Sequence, residues 1–147
     1  AIFDTRKTTL LWRELEKYAV RTGGGKNHRM NLEKIFVKEN HRVQGNLAPL
    51  KRFAGKFIIE ARNFAEIHEA LCLKPRVLLL DNFPSSKLKS AVREVRRRDR
   101  RVLIEASGGV TLENVRKIAA SGVDQISVGA LTHSAPSVDF SLLLRRR

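Results

Sequence analysis

The chain has 147 residues, 42% of them hydrophobic and 30% charged, as expected for one soluble globular domain with its own core. No apolar run approaches the roughly 18 residues that span a bilayer, and no signal peptide is visible. The single cysteine, Cys72, rules out an internal disulfide and fits a reducing compartment such as the cytoplasm, while a net charge of +14 points to polyanionic or phosphorylated partners.

Short apolar runs alternate along the chain with segments of helical period. Ala1-Ile2-Phe3 opens the series and stops at Asp4-Thr5-Arg6-Lys7. Leu11, Leu15, Tyr18 and Ala19 then form an apolar helical stripe. Residues 34–38 predict a second strand, stopping at Lys38-Glu39-Asn40-His41. The linker from Lys38 to Phe57 is the least regular stretch, and Pro49 and Gly55 leave room for only a short helix around Leu47 to Phe53. Residues 57–60 predict a third strand ending at Glu60, followed by a helix with Phe64, Ile67, His68 and Leu71 on one face and Cys72 packed within it. Val77-Leu78-Leu79-Leu80-Asp81 predicts a fourth strand. Pro84 and Ser85 start a helix in which Leu88, Ala91, Val92 and Val95 keep the spacing of one buried face. Residues 101–105 predict a fifth strand that stops at Glu105-Ala106-Ser107. Thr111 as N-cap and Gly122 as stop bracket a helix containing Leu112, Val115, Ile118 and Ala119. Residues 125–128 complete the series, which stops at Gly129.

Strands that are apolar throughout suit a parallel sheet buried on both faces, and repeated βα units imply right-handed crossovers. The expected fold class is α/β: an incomplete (β/α) barrel of about six parallel strands with helices outside, against the eight units of a full barrel. An open doubly wound sheet is the alternative. Every predicted strand ends on a polar, charged or glycine residue, and parallel strands bring these tips to one rim, where barrels carry their chemistry. This pattern predicts an enzyme. Residues 1–147 are expected to form one domain, and the absence of an initial methionine suggests a fragment or a domain separated from an upstream partner.

Taken singly, the polar residues leave alternatives open. Arg93, Arg96, Arg97, Arg98, Arg100 and Arg101 cluster, as do Arg145 to Arg147. The plain reading is a solvated helix face and a tail. Nucleic-acid binding is the runner-up; few aromatics and no zinc-ligand set or RNA-binding signature stand against it, so nucleic acid is not the expected partner. Arg6 and Lys7 alone read as surface charges, and His28, His41 and His68 as structural histidines. Asp81 follows four apolar residues, a costly place for a charge without a purpose. Glu105 reads equally as a ligand or as partner to a buried base, and His133 as a loop contact or a structural residue.

Together, several segments carry more information: Asp4-Thr5-Arg6-Lys7-Thr8-Thr9, Leu15-Glu16-Lys17-Tyr18-Ala19-Val20, Gly23-Gly24-Gly25-Lys26-Asn27-His28-Arg29, Glu105-Ala106-Ser107-Gly108-Gly109-Val110-Thr111-Leu112-Glu113-Asn114, and Ser127-Val128-Gly129-Ala130-Leu131-Thr132-His133-Ser134-Ala135-Pro136. In this order, over nearly the whole chain, they resemble the C-terminal barrel domain of quinolinate phosphoribosyltransferase, the carboxylating nicotinate-nucleotide pyrophosphorylase. The resemblance implies transfer of phosphoribosyl from phosphoribosyl pyrophosphate to quinolinate with loss of carbon dioxide, giving nicotinate mononucleotide for NAD biosynthesis. By the same resemblance, Arg6, His28 and Arg29 bind the dicarboxylate, and Lys7 and Lys38 face pyrophosphate and the substrate carboxylate. Glu60 and Asp81 serve the ribose hydroxyls and Mg²⁺, while Ser107, Gly108, Gly109, Gly129 and Ala130 cradle the 5′-phosphate. The residue types agree: a dianion needs fixed cations, Mg²⁺ prefers carboxylate oxygens, and glycines admit backbone N–H groups to a phosphate. Lys7, Lys38, Glu60 and Asp81 are the expected catalytic residues.

The chain differs from the family at several places. Leu10-Leu11-Trp12 replaces the Pro-Gly that follows the two threonines, removing a turn signal. Glu39 and Arg42 alter the end of the second strand, the stretch from Met30 to Lys38 is one residue short, and the region from Arg42 to Lys56 is shorter still. Ile58 takes the place of the first of two alternating acids. The family's N-terminal domain, which covers the partner's barrel mouth in a homodimer, is not matched. The expected partners are the two substrates and a second copy, as a homodimer or higher oligomer. Two other readings are a truncated or redesigned scaffold with little activity and a basic nucleic-acid-associated domain.

Overall fold

A computed structural model describes residues 1–28 and 35–134. Six parallel strands make one sheet in the order β1-β6-β5-β4-β3-β2. They are β1 (Ile2–Phe3), β2 (Ile35–Val37), β3 (Phe57–Ala61), β4 (Val77–Asp81), β5 (Leu103–Ser107) and β6 (Gln125–Ser127). The first strand therefore pairs with the last, as strands do in a barrel. On its other side, among the described residues, β1 meets a one-residue bridge, Phe3 to Lys26, closed by Lys26 N–H to the Ile2 carbonyl (2.9 Å) and Asp4 N–H to the Lys26 carbonyl (3.1 Å). Among the described residues β1 and β2 do not pair, so the cylinder is incomplete, as expected.

Strand alternation separates two packed layers. Ile59, Ala61, Leu78, Leu80, Ile104, Ala106 and Ile126 share a core with residues of the helices, whereas Ile58, Val77 and Leu79, with Phe36 and Leu103, form a small second core inside the sheet's curl. The outer helices are α1 (Arg13–Thr22), α2 (Glu39–Gln44), α3 (Phe64–Cys72), α4 (Ser85–Arg98) and α5 (Val115–Ala119), with a 3₁₀ turn at Ala48–Phe53. Helix α4 buries Leu88, Ala91, Val92 and Val95, as its spacing predicts. Burial of Leu88, Val92 and Val95 contributes about 1.5–3 kcal/mol each, which outweighs the few tenths lost between like charges on the outer face. No helix among the described residues is long and apolar enough to cross a membrane.

The arginine cluster on α4 is largely paired within the protein. Arg96 donates to Asp124 (2.5 Å) and to the Val102 carbonyl (2.6 Å), tying α4 to the β5–β6 edge. Glu94 collects Arg98 (2.8 Å), Arg97 (3.1 Å) and His68 (3.0 Å). Hydrogen bonds from Arg98 and then Arg97 pull its carboxyl from 4.5 to about 2. Because the folded value is depressed, the stabilisation is full above pH 4.5 and is lost as pH falls towards about 2. Glu94→Gln should therefore be less stable than the parent at neutral pH, and pH-resolved denaturant melts should show the difference vanishing across that window.

Five expectations are corrected. The stripe Leu11, Leu15, Tyr18 and Ala19 faces outward, with Leu11 92%, Leu15 65% and Tyr18 62% exposed; α1 turns Lys17 and Val20 inward instead. Cys72 is exposed, because it lies two residues beyond the buried Ala70 and so on the opposite face of α3, and Leu73 fills the inward place. The last helix starts at Val115 rather than after Thr111: the Asn114 amide bridges the Gly109 carbonyl (2.8 Å) and the Thr111 N–H (2.9 Å), holding 111–114 as a turn. The linker contains a second helix, α2, whose start is secured by Lys38 N–H donating to His41 Nδ1 (3.0 Å). β5 lies two residues later than predicted, at Leu103–Ser107.

The replaced Pro-Gly also has a definite outcome. A turn persists, closed by Trp12 N–H to the Thr9 carbonyl (3.1 Å), and Leu11 occupies its third position at φ 67°. That left-handed conformation normally selects glycine. Leu11→Gly should relieve strain of about 1 kcal/mol, read as a higher denaturation midpoint with an unchanged m-value.

Candidate active site

The tips of all six strands converge on one cavity of about 790 Å³. From β1 come Arg6 and Lys7, and from the bridging segment His28. Lys38 enters after β2, Glu60 from β3 and Asp81 from β4. The turns after β5 and β6 supply Ser107, Gly108 and Gly109, and Gly129 and Ala130. Every predicted site residue that the structure describes is thus on the same cavity wall. Arg29 lies outside the described residues, as do Arg145 to Arg147.

Register explains the convergence. Glu60 pairs across with Leu79, Leu79 with Glu105, and Asp81 with Ser107, which in turn pairs with Ser127. Partners in register point to the same side of a sheet. The interior therefore stacks an apolar floor of Ile58, Val77, Leu79 and Leu103 beneath a polar layer of Glu60, Asp81, Glu105, Ser107 and Ser127.

The two acids of that layer act on each other. Burial, and next the negative charge of Asp81, raises the Glu60 carboxyl above its usual 4.5; Lys38 and Arg62 only partly offset this. A cation placed between the two carboxylates would remove the repulsion. Among the described residues, no group of three or more His, Cys, Asp or Glu side chains converges on a metal position. The donor set is thus a pair of hard carboxylates rather than a closed cage, which fits Mg²⁺ completed by substrate phosphates and water.

The cationic wall is held from behind. Lys7 N–H donates to Thr5 Oγ1 (2.8 Å), and the Arg6 carbonyl accepts from Arg13 of α1 (3.4 Å). The ammonium of Lys38 lies 5.5 Å from the centre of the Phe36 ring. The His28 ring meets Phe3 edge-on at 6.5 Å, and its Nε2 lies 3.3 Å from Glu105 Oε1. Ser127 Oγ donates to that same oxygen at 2.5 Å. Glu105 is 3% exposed, so it serves as the buried partner of His28 and Ser127, the second of the two readings its sequence position allows.

Residues outside the predicted site set also line the cavity. Asn82 follows Asp81 at φ 49° and donates its amide to Asp81 Oδ2 (3.0 Å), while its backbone N–H donates to the Ser107 carbonyl (2.8 Å). A Cβ on Gly108 would collide with the Asn82 side chain, so the glycine turn and the acid tip are built against each other. His133 stands over Gly129 on the cavity wall, its Nδ1 2.7 Å from Ser134 Oγ. The two family departures near the rim are ties: Arg42 binds Glu69 and the Glu60 carbonyl (2.7 Å), and Glu39 accepts from Arg62 (2.5 Å). A polar residue one place beyond a strand's last acid was the available signal for Asn82, and alternation about the apolar Ile126 was the signal for Ser127.

Comparison with known proteins gives the same picture. The family profile described as "Quinolinate phosphoribosyl transferase, C-terminal domain" matches residues 1–143. The Archaeoglobus fulgidus protein named "probable nicotinate-nucleotide pyrophosphorylase (carboxylating)" is 44% identical over 94% of the chain and 57% of its own length. The Mycobacterium leprae nicotinate-nucleotide pyrophosphorylase (carboxylating) is 40% identical over 96% of the chain and 52% of its own. The crystal structure of the Ehrlichia chaffeensis nicotinate-nucleotide pyrophosphorylase superposes with a TM-score of 0.79 at 37% identity, over 90% of this chain and 50% of that one. The chain spans about half the length of the relatives it matches. By profile, identity and fold together, it belongs to the quinolinate phosphoribosyl transferase family, to which it contributes the C-terminal domain.

Proposed function

We propose that this barrel binds quinolinate and phosphoribosyl pyrophosphate side by side and makes nicotinate mononucleotide. The observation that carries the reading is that one cavity is lined by the cations Arg6, Lys7 and Lys38, by His28, by the carboxylates Glu60 and Asp81 and by the glycine turns after β5 and β6. Arg6 and His28 hold the two ring carboxylates, the guanidinium through a planar fork. Arg29, adjacent in sequence to His28, is proposed to complete this grip. Gly108, Gly109, Gly129 and Ala130 present backbone to the 5′-phosphate, with Ser107 as hydroxyl donor.

In the reaction the pyridine nitrogen bonds to C1 of the sugar as the C1–O bond to pyrophosphate breaks, the electron pair leaving with pyrophosphate. Lys7 and Lys38 offset the charge that grows on the leaving group. Glu60 and Asp81 orient the ribose hydroxyls and stabilise positive charge developing on the sugar ring. The carboxylate next to the ring nitrogen then leaves as carbon dioxide, and a proton takes its place on carbon. When held by Glu60, Asp81 and the substrate, Mg²⁺ supplies positive charge against the pyrophosphate oxygens. The cytoplasm, a single domain over residues 1–147, and assembly as a homodimer or higher oligomer with an N-terminal domain over the mouth are parts of the same reading. A covered mouth would exclude water and strengthen every electrostatic contact.

The test is incubation of the folded chain with quinolinate, phosphoribosyl pyrophosphate and Mg²⁺. Nicotinate mononucleotide, pyrophosphate and carbon dioxide should form in equal amounts. No product at high protein concentration would leave a binding scaffold in place of an enzyme.

A further inference from the structure

Lys17 and Asp4 are the most deeply buried charged side chains described, each with 0% exposure. Lys17 sits where an apolar residue of α1 would face β1, and Leu15 and Tyr18 are left outside. Its ammonium donates to Asp4 Oδ2 (2.7 Å) and to the Thr5 carbonyl (2.6 Å). Asp4 Oδ1 accepts the His28 N–H at 2.5 Å. With its nitrogen turned inward, the Asn27 amide donates to Asp4 Oδ2 (3.2 Å) and the Lys17 carbonyl (3.1 Å).

Stability does not account for such a pair. Withdrawing two charges from water costs several kcal/mol, and apolar residues of similar volume commonly do as well or better. The pair instead joins three pieces of chain: α1, the tip of β1 that leads into Arg6 and Lys7, and the segment that ends in His28. Those last two both carry cations of the cavity wall, and apart from this network the described contacts between them are the one-residue bridge at Phe3 and Lys26 and the edge-on meeting of the Phe3 and His28 rings.

We propose that Lys17 and Asp4 are positioning residues that fix the spacing between the Arg6–Lys7 loop and His28, and thereby set the affinity for a rigid dicarboxylate. The inference rests on the proposed substrate. Two carboxylates on adjacent ring carbons have a fixed separation, so cations that drift by an ångström lose the bidentate fit.

The test replaces the pair by apolar residues of similar size, Lys17→Met with Asp4→Leu. Melting is expected to stay close to that of the parent, and quinolinate affinity by calorimetry to fall roughly tenfold or more. Affinity for ribose 5-phosphate, which engages the glycine turns and the Glu60 and Asp81 carboxylates but neither Arg6 nor His28, should hold. Amide exchange at His28 should accelerate, while that at Ile104 in the core should not. Unchanged quinolinate affinity in a normally melting variant, or an equal loss for ribose 5-phosphate, would overturn the inference. If the parent itself does not bind quinolinate, the substrate reading fails separately, and faster His28 exchange still decides for or against the positioning role. Should the apolar pair not fold, Lys17→Met with Asp4→Asn carries the same readings, because it keeps an acceptor for the His28 N–H and removes both charges.

Discussion

Asp81→Asn is expected to lower nicotinate mononucleotide formation by roughly 100-fold or more and to leave melting unchanged. The substitution keeps size and the acceptor for the Asn82 amide, so the strand tip has no reason to move. What it removes is one of the two negative charges proposed to stabilise the cationic sugar and to hold Mg²⁺. Loss of that charge also relieves Glu60, whose raised carboxyl owes its second-largest contribution to Asp81. Two readouts should therefore change together: the Mg²⁺ concentration for half-maximal rate rises, and the Glu60 carboxyl titrates closer to 4.5. Kinetics and Mg²⁺ dependence identical to the parent would remove Asp81 from the site.

Gly108→Ala should be nearly as damaging by a different route. Gly108 has φ +93°, and a Cβ there meets the Asn82 side chain and comes within 2.9 Å of its backbone nitrogen. Asn82 cannot retreat freely, because it is itself left-handed and bonded to both Ser107 and Asp81. The expected costs are about 1–3 kcal/mol of stability and displacement of the Gly108 turn and the Asp81 carboxylate together. Affinity for phosphoribosyl pyrophosphate with Mg²⁺ should fall by roughly tenfold or more, and quinolinate affinity should be nearly retained. Gly109→Ala is the internal control. Its φ is +57° and a Cβ there meets nothing within 4 Å, so it should cost about 1 kcal/mol of stability and leave Asn82 and the Asp81 carboxylate in place. Calorimetry on both variants separates the two cases, and equal behaviour would mean that the collision with Asn82 has no bearing on binding.

The strands were legible because four of the runs are apolar on both faces, and only a covered parallel sheet buries both. The acids at their ends were legible for a related reason: a charge such as Asp81 beside Leu78, Leu79 and Leu80 must emerge at an edge. Which residues point inside the curl was harder to see. Leu78 and Leu79 are both apolar, and only the register that aligns Leu79 with Glu105 assigns one to the helices and the other to the floor. Helix α1 misled because one of its two buried positions is a lysine. The partner that makes this tolerable, Asp4, is 13 residues away and belongs to another element. Helix α2 carried no apolar period at all, and His41 rather than hydrophobicity marks its start. Thr111 and Asn114 are both capping types, and the choice between them was made by a contact to Gly109 that spacing does not encode.

Where the two ligands sit tests the proposed site most directly. Crystals of the chain grown with quinolinate and, separately, with phosphoribosyl pyrophosphate and Mg²⁺ should show the pyridine carboxylates against Arg6 and His28. They should also show the 5′-phosphate at the turns of Gly108 and Gly129, with pyrophosphate reaching Lys7 and Lys38 and the metal at Glu60 and Asp81. Density for either ligand on another face of the molecule, with this cavity left to solvent at saturating concentration, would contradict it.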